Sequence, residues 1–322
     1  MKINKAHFRG CLLGGAAADA RAYGIRAEGQ DLISDNTQMA SFTLDGLVWA
    51  ADRARRKGVY AYIPCLFYSY QKWYYTQSGN LADKTYSFIL GGEILRWENL
   101  YARRGEGLTS MTALAGSINN KFGTLQNRVN NSKGCGGVMR SAPIGMYFCK
   151  DEKTAFRIGC EAAALTHGHI DAILPAGFFA CVISCVLQGM DVRAAAETAL
   201  LEAKAWTGHE NCSALFRKAI ALSEGDAEAG AAMRELGRGL TGEEAMSLAL
   251  YCALRFDGDY EAGVRTAALY DGNKGSIATI CGHILGAGLG SGEIPFQWIR
   301  EMELFELMIL GVDRLLHAVY AE

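Results

Sequence analysis

The chain has 322 residues, half of them apolar, with 32 basic against 34 acidic side chains. So even a balance gives no strong field to gather nucleic acid or an anionic membrane, and neither is expected as a partner. The first nine residues lack the apolar core of a secretory leader, and no uninterrupted apolar stretch of about 20 residues is read, so a cytoplasmic protein without a membrane span is expected.

Only 4 prolines occur and no Pro-, Ser- or Gln-rich linker divides the chain, so residues 1–322 read as one domain. Helical periodicity dominates throughout. Gly10, Gly14 and Ala18 put small residues on one face of a first helix, which lets another backbone approach closely. From Thr37, the positions Met39, Phe42, Thr43, Gly46, Leu47 and Ala50 recur at three- and four-residue spacing, and the basic run 53–57 complements that helix's C-terminal dipole. The aromatic segment 59–77 contains Pro64, which predicts a kink or a late helix start. Further helices are read at 155–165, 170–188, 192–207, 243–255 and 260–269, and a last apolar face runs through Trp298, Met302, Phe305, Ile309 and Val312. Strand alternation is scarce and no fixed repeat is seen, so the expected class is all-α. The 10 cysteines are dispersed, without a Cys-x-x-Cys pair, and read as reduced core residues.

Four segments carry candidate chemistry. In the first, Gly10 to Ala20, the glycines read as a packing face. The second, Ser34-Asp35-Asn36-Thr37, has the composition of a helix N-terminus, with Asp35, Asn36 or Thr37 as the cap. In the third, Gly134, Gly136 and Gly137 can turn backbone N–H groups towards an anion, and Arg140 can add a fork of donors. The Gly-Lys-Ser/Thr ending of a phosphate-binding Walker loop is absent. The fourth, residues 270–276, is a polar turn that opens a helix carrying Gly282 and Gly286.

In this order the four segments resemble the ADP-ribosylglycohydrolase family, notably its dinitrogenase reductase-activating and bacterial immunity-type members. The similarity runs from Phe8 to about Trp298. Gly10 to Ala20 is similar to the family's opening Gly-x-x-x-Gly-x-x-x-Gly-Asp-Ala segment, with Ala18 for the last glycine. Ser34 to Met39 stands where the family has Thr-Asp-Asp-Thr-x-Met, Gly134 to Pro143 where it has a glycine-rich segment ending Met-Arg-x-x-Pro, and Leu165 to Ala172 where it has Leu-Thr-His-x-x-x-x-Ala. Gly282 to Ala287 and Ile294 to Trp298 complete the set. The resemblance implies a single compact, orthogonal all-α domain. It implies ADP-ribose contacts from Gly134, Gly136, Gly137, Met139, Arg140 and His167. It also implies one or two magnesium ions near Ser34, Asp35, Asn36, Asn273 and Ser276, with Asp35 as the catalytic candidate.

The departures fall on the acidic positions. The second aspartate of the first pair is Asn36, and the last pair falls on Asn273 and Gly275 with Lys274 between them. A gapped alignment would instead use Asp271 and Asn273. The segment between Asp19 and Ser34 is short and offers only Glu28 and Asp31 as substitutes. The expectation is therefore a catalytically impaired relative without a metal cofactor, acting by binding. Its expected partner is an ADP-ribosyltransferase toxin that it occludes as an immunity protein. The alternatives are a working hydrolase with an altered metal site that acts on an ADP-ribosylated protein, and a metal-free ADP-ribose-binding protein.

Overall fold

The computed structural model describes residues 4–320. Its helices in chain order are α1 (Lys5–Tyr23), α2 (Asp35–Lys57), α3 (Tyr62–Ser78), α4 (Leu108–Ala115), α5 (Ala142–Tyr147), α6 (Glu152–Ala164), α7 (Ile170–Leu187), α8 (Val192–Ala203), α9 (Glu210–Glu224), α10 (Ala229–Arg234), α11 (Gly242–Arg255), α12 (Tyr260–Ala268), α13 (Lys274–Leu289), α14 (Phe296–Glu301) and α15 (Phe305–Tyr320). The sheet among the described residues is a two-residue hairpin, β1 (Arg26–Ala27) against β2 (Gln30–Asp31). The fold is all-α, as its periodicity predicts.

Glycine sets how α1 meets α13. A Cβ on Gly10 would lie 2.2 Å from the Gly286 carbonyl oxygen, and one on Gly14 would lie 2.4 Å from that of Gly282. The reverse contacts are equally tight, at 2.0 Å from Gly286 to Gly10 and 2.4 Å from Gly282 to Gly14. The two helices therefore run antiparallel with backbone against backbone, an approach closed to any larger residue. His283 lies over Gly15 and meets the Cys11 carbonyl at 2.8 Å, and the Tyr260 hydroxyl donates to the Gly14 carbonyl at 2.6 Å. This pairing brings the C-terminal end of α1, with Asp19, beside the N-terminal end of α13, with Ser276.

At the centre lies α7, packed against α5, α6, α8, α11 and α13. The sequence reading finds no membrane-length apolar segment, yet α7 is long and apolar enough to cross a membrane by length and composition. It lies buried inside the helical layers instead. The ten cysteines are free and buried, in keeping with core roles.

Two expected helices end early, each for a packing reason. The helix read to 207 stops at Ala203, because Trp206 turns back onto Phe156 at 5.8 Å and Gly208 is left-handed at φ +83°. The apolar face from Trp298 to Val312 is split between α14 and α15 at Leu304, with φ 60°. There Glu303 turns inward and accepts from the Ile33 N–H at 2.7 Å, from Asn99 at 3.0 Å and from Arg104. A buried carboxylate with three partners thus overrides the periodicity. The late start of α3 is as expected, with Pro64 in its first turn, where a missing N–H costs nothing.

Replacing Gly286 with Ala forces a methyl group into the Gly10 backbone. A loss of about 1–3 kcal/mol or more is expected by urea unfolding. The control Gly292→Ala, whose Cβ would meet nothing within 4 Å, is expected to stay within about 0.5 kcal/mol of the parent.

Candidate functional site

The hub of the site is Asp19, in the last turns of α1 and fully buried. Its two oxygens accept five hydrogen bonds. The Ser34 N–H and hydroxyl donate at 2.8 and 2.6 Å, the Thr37 N–H and hydroxyl at 3.2 and 2.6 Å, and the Asn36 amide at 3.1 Å. Asp19 thereby fixes the first turn of α2, whose N-cap is Ser34 rather than any of the three residues after it. A buried acid that satisfies otherwise orphaned N–H groups stabilises a helix N-terminus. The clue in the sequence is a lone aspartate in an Ala-rich apolar helix.

Freed from capping, Asp35 stands at the rim of this turn, nine-tenths buried. Its carboxyl is pushed up to about 8, chiefly by burial and then by the negative charge of Asp19, while the Gly107 N–H opposes the rise by donating to it. Glu106, on the same overlying segment, adds further negative charge and is itself held by Arg103. The Asp35 N–H donates to the Arg104 carbonyl at 3.1 Å, which pins this segment over the site. Glu106 has no motif around it, and only the fold brings it here.

Asn36 joins the two helices of the central pair. Its amide nitrogen reaches Asp19, and its oxygen accepts from the Ser276 hydroxyl at 3.3 Å. Asn273 caps α13, and its amide donates to the Cys135 sulfur at 3.1 Å. The Cys135 thiol in turn donates to the Ser276 oxygen at 3.2 Å, and burial pushes that thiol's pKa up. Among the described residues no three His, Cys, Asp or Glu side chains are grouped closely enough to hold a metal ion.

The glycine segment forms a 3-10 turn, Cys135–Gly137, and Gly134 bridges antiparallel to Thr241. Gly134 and Gly136 are partly open beside the His167 ring, and a Cβ on Gly136 would lie 3.0 Å from that ring. Gly137 faces inward, where a Cβ would strike Ala163 at 2.9 Å. Met139 is buried, with its sulfur 3.9 Å from the Ser276 hydroxyl. His167 is held by Thr166 at 2.8 Å, and burial, with Arg140 nearby, lowers its pKa to about 3, so the ring is neutral near pH 7.

The expected role of Arg140 as an anion fork is not what the structure builds. Its side chain is fully buried, donates to the Ala162 carbonyl at 3.2 Å and the Thr166 hydroxyl at 2.7 Å, and stacks over Tyr70 at 4.1 Å. It is a cation of the interior that ties the glycine segment to α3 and α6. The gapped alignment fails as well, because Asp271 is exposed and faces Arg238 at 3.8 Å. Lys274 points to solvent rather than into the site. Glu28 is exposed at the hairpin turn, and Asp31 is paired with Arg21 at 2.9 Å and Arg26 at 3.4 Å, so neither substitutes for a lost acid.

These features define a class first: an all-α fold whose polar site is assembled where two glycine-packed helices end, beneath a glycine-rich turn. The family model described as ADP-ribosylglycohydrolase matches residues 2–322, and the chain belongs to that family. A solved structure, titled ADP-ribosylglycohydrolase-related protein complex, shares the fold with a TM-score of 0.62 over 99% of this chain and 100% of that one, at 18% identity. An uncharacterised protein of Archaeoglobus fulgidus is 30% identical over 171 residues, which are 52% of this chain and 53% of that protein. The chain thus matches about half the length of that relative.

Two outcomes test this geometry. Asp19→Ala strands five donors, and a loss of roughly 3–5 kcal/mol is expected by chemical denaturation, with a smaller loss for Asp19→Asn. For Asp35, the folded carboxyl holds its proton to about pH 8, whereas the unfolded one releases it near its ordinary value. Wild-type stability relative to Asp35→Asn is therefore expected to fall as pH rises from about 4 to 8 and to level off above, by a few kcal/mol at most. Paired thermal melts across that range would read it.

Proposed function

We propose that this chain acts by binding rather than by the metal-dependent hydrolysis of its family. The observation that carries this is the donor set at the ends of α1, α2 and α13. Asp19 is saturated by five hydrogen bonds, so Asp35 is the one uncommitted family-position carboxylate. Asn36, Asn273 and Ser276 contribute neutral groups, and Cys135 contributes sulfur. Magnesium seeks charged oxygens, and two dications beside a single carboxylate would repel each other without compensation. The residues present do not suit the family's magnesium pair.

The partner proposed is an ADP-ribosyltransferase toxin that the chain occludes, in the manner of the family's immunity-type members. The decisive assay offers an ADP-ribosyl-arginine protein with magnesium. No release above background is expected, and release at the rate of an active relative would overturn the reading. Restoring acids at Asn36, Asn273 and Gly275 together is expected to create magnesium binding measurable by calorimetry. A Cβ on Gly275 would lie 3.3 Å from the Asn36 amide nitrogen, so an aspartate there points at the hub.

A second reading, metal-free binding of ADP-ribose, is favoured by the partly open glycine turn beside neutral His167. A ligand at 100 times its Kd stabilises the native state by about 2.7 kcal/mol. For a chain of this size that corresponds to a rise of about 4 °C in melting temperature. The same rise is expected with ADP-ribose in the presence of a chelator, and no shift would remove this reading.

A further inference from the structure

We propose that the cleft beside the C-terminal half of α2 is a binding site for a small planar aromatic anion. It is separate from the candidate site, since Arg55 lies about 30 Å along α2 from Asp35 at the rise of an α-helix. The cleft encloses about 560 Å³, within the range of small-molecule sites, between α2, α3, the 3-10 turns on either side of Gly92, and α15. Lys72 of α3 lines it, although only 5% of that residue is exposed. Lysine is almost never buried so fully unless its charge is met. Asp45 accepts from the ammonium at 2.7 Å, one bond for a group with three N–H donors, and the Trp49 ring centre lies 4.9 Å away. Gly92 keeps the ammonium within reach of the cleft. A Cβ there would lie 2.9 Å from Nζ and 3.0 Å from Cε, so any side chain would cover or displace it.

Charge and shape name the ligand. Each acid that lines the cleft has its own cation: Asp45 has Lys72, Asp52 has Arg56 at 3.0 Å, and Glu93 has Arg314. Exposed Arg55, also on the cleft wall, is left over. It belongs to the basic run 53–57, which the candidate site does not use and which carries positive charge outwards from the cleft. The carbonyl end of α2 offsets part of that charge, and the exposed side chains carry the rest. Two rings supply the flat apolar part. Trp49 is half-buried and Phe88 is 57% exposed, with their centroids 6.5 Å apart and edge to face. An exposed phenylalanine against a tryptophan offers a third ring a surface on which to pack. A phosphate ester of a nucleoside and an aromatic carboxylate share this chemistry, an anionic group joined to a planar ring.

The test is calorimetric titration of the full chain with two probes, adenosine 5′-monophosphate and indole-3-carboxylate. At least one is expected to bind, and which of them binds tells a phosphate ester from a carboxylate. Adenosine, indole and inorganic phosphate each carry half of the chemistry and are expected to bind about tenfold more weakly or worse. Arg55→Gln, at an exposed position, is expected to weaken the probe about threefold. Gly92→Ala, which crowds the ammonium, is expected to weaken it by at least as much. Arg238→Gln, an exposed cation elsewhere, should change nothing. Thermal melts check that each variant folds, and Arg55→Gln decides alone if Gly92→Ala does not. Failure of both probes to bind the parent overturns the proposal. So does binding that survives Arg55→Gln, as it would for a probe held only at the glycine turn. A neutral ring or free phosphate bound as tightly as the probe overturns it as well.

Discussion

The backbone-on-backbone contact between α1 and α13 is the constraint from which the site follows. Gly10 faces Gly286 and Gly14 faces Gly282, with carbonyl oxygens 2.0–2.4 Å from where a Cβ would stand. At this spacing the two axes cannot slide without a clash, so their relative register is fixed. That register decides that Asp19 arrives beside Asn36 and that Asn36 in turn meets Ser276. A chemical arrangement whose parts are some 240 residues apart in the chain is thus positioned by residues that have no side chains.

Charge in this interior is arranged unevenly. Asp19 is surrounded by donors and is at ease without water, whereas Asp35, at the start of the next helix, is buried with little more than the Gly107 N–H to support its ionised form. Arg140, the buried cation nearest in role, is committed to Thr166, to a backbone carbonyl and to the face of Tyr70. Its Nε has no partner at all among the described residues. The protein therefore keeps one acid and one guanidinium in the same region without pairing them. Such arrangements are costly to stability and are typical of places where a ligand supplies what the fold withholds.

Much of the architecture was legible because helix periodicity is local. The apolar faces of α2, α6, α7, α11 and α12, the basic end of α2 and the position of Pro64 all reflect three- and four-residue spacing. The small-residue stripe on α1 and the pair on α13 were readable as close-packing faces, although nothing local says that they pack against each other. What escaped the sequence depends on contacts made across the fold. Arg140 looked like an anion fork because a guanidinium after glycines has that appearance, and only tertiary burial shows it facing inward. Ser34 displaced its neighbours as cap because Asp19, from another helix, fixes it. Glu303 broke an apolar pattern because Ile33, Asn99 and Arg104 needed its carboxylate. Glu106 carried no local mark of its place beside Asp35.

The central position of α7 has a consequence for how the chain comes to be folded. This is a segment that a membrane-insertion machinery would find acceptable by length and composition, and its shelter is built from elements on both sides of it. The helices α8, α11 and α13 are synthesised after it, and α1 cannot seat its glycines until α13 has emerged. At 5–20 residues per second, the α7 surface waits about 5–20 s for α13 and the glycine face of α1 about 14–54 s. Nascent-chain protection, rather than the stability of the finished fold, is then the step at which a cell has most to do for this protein.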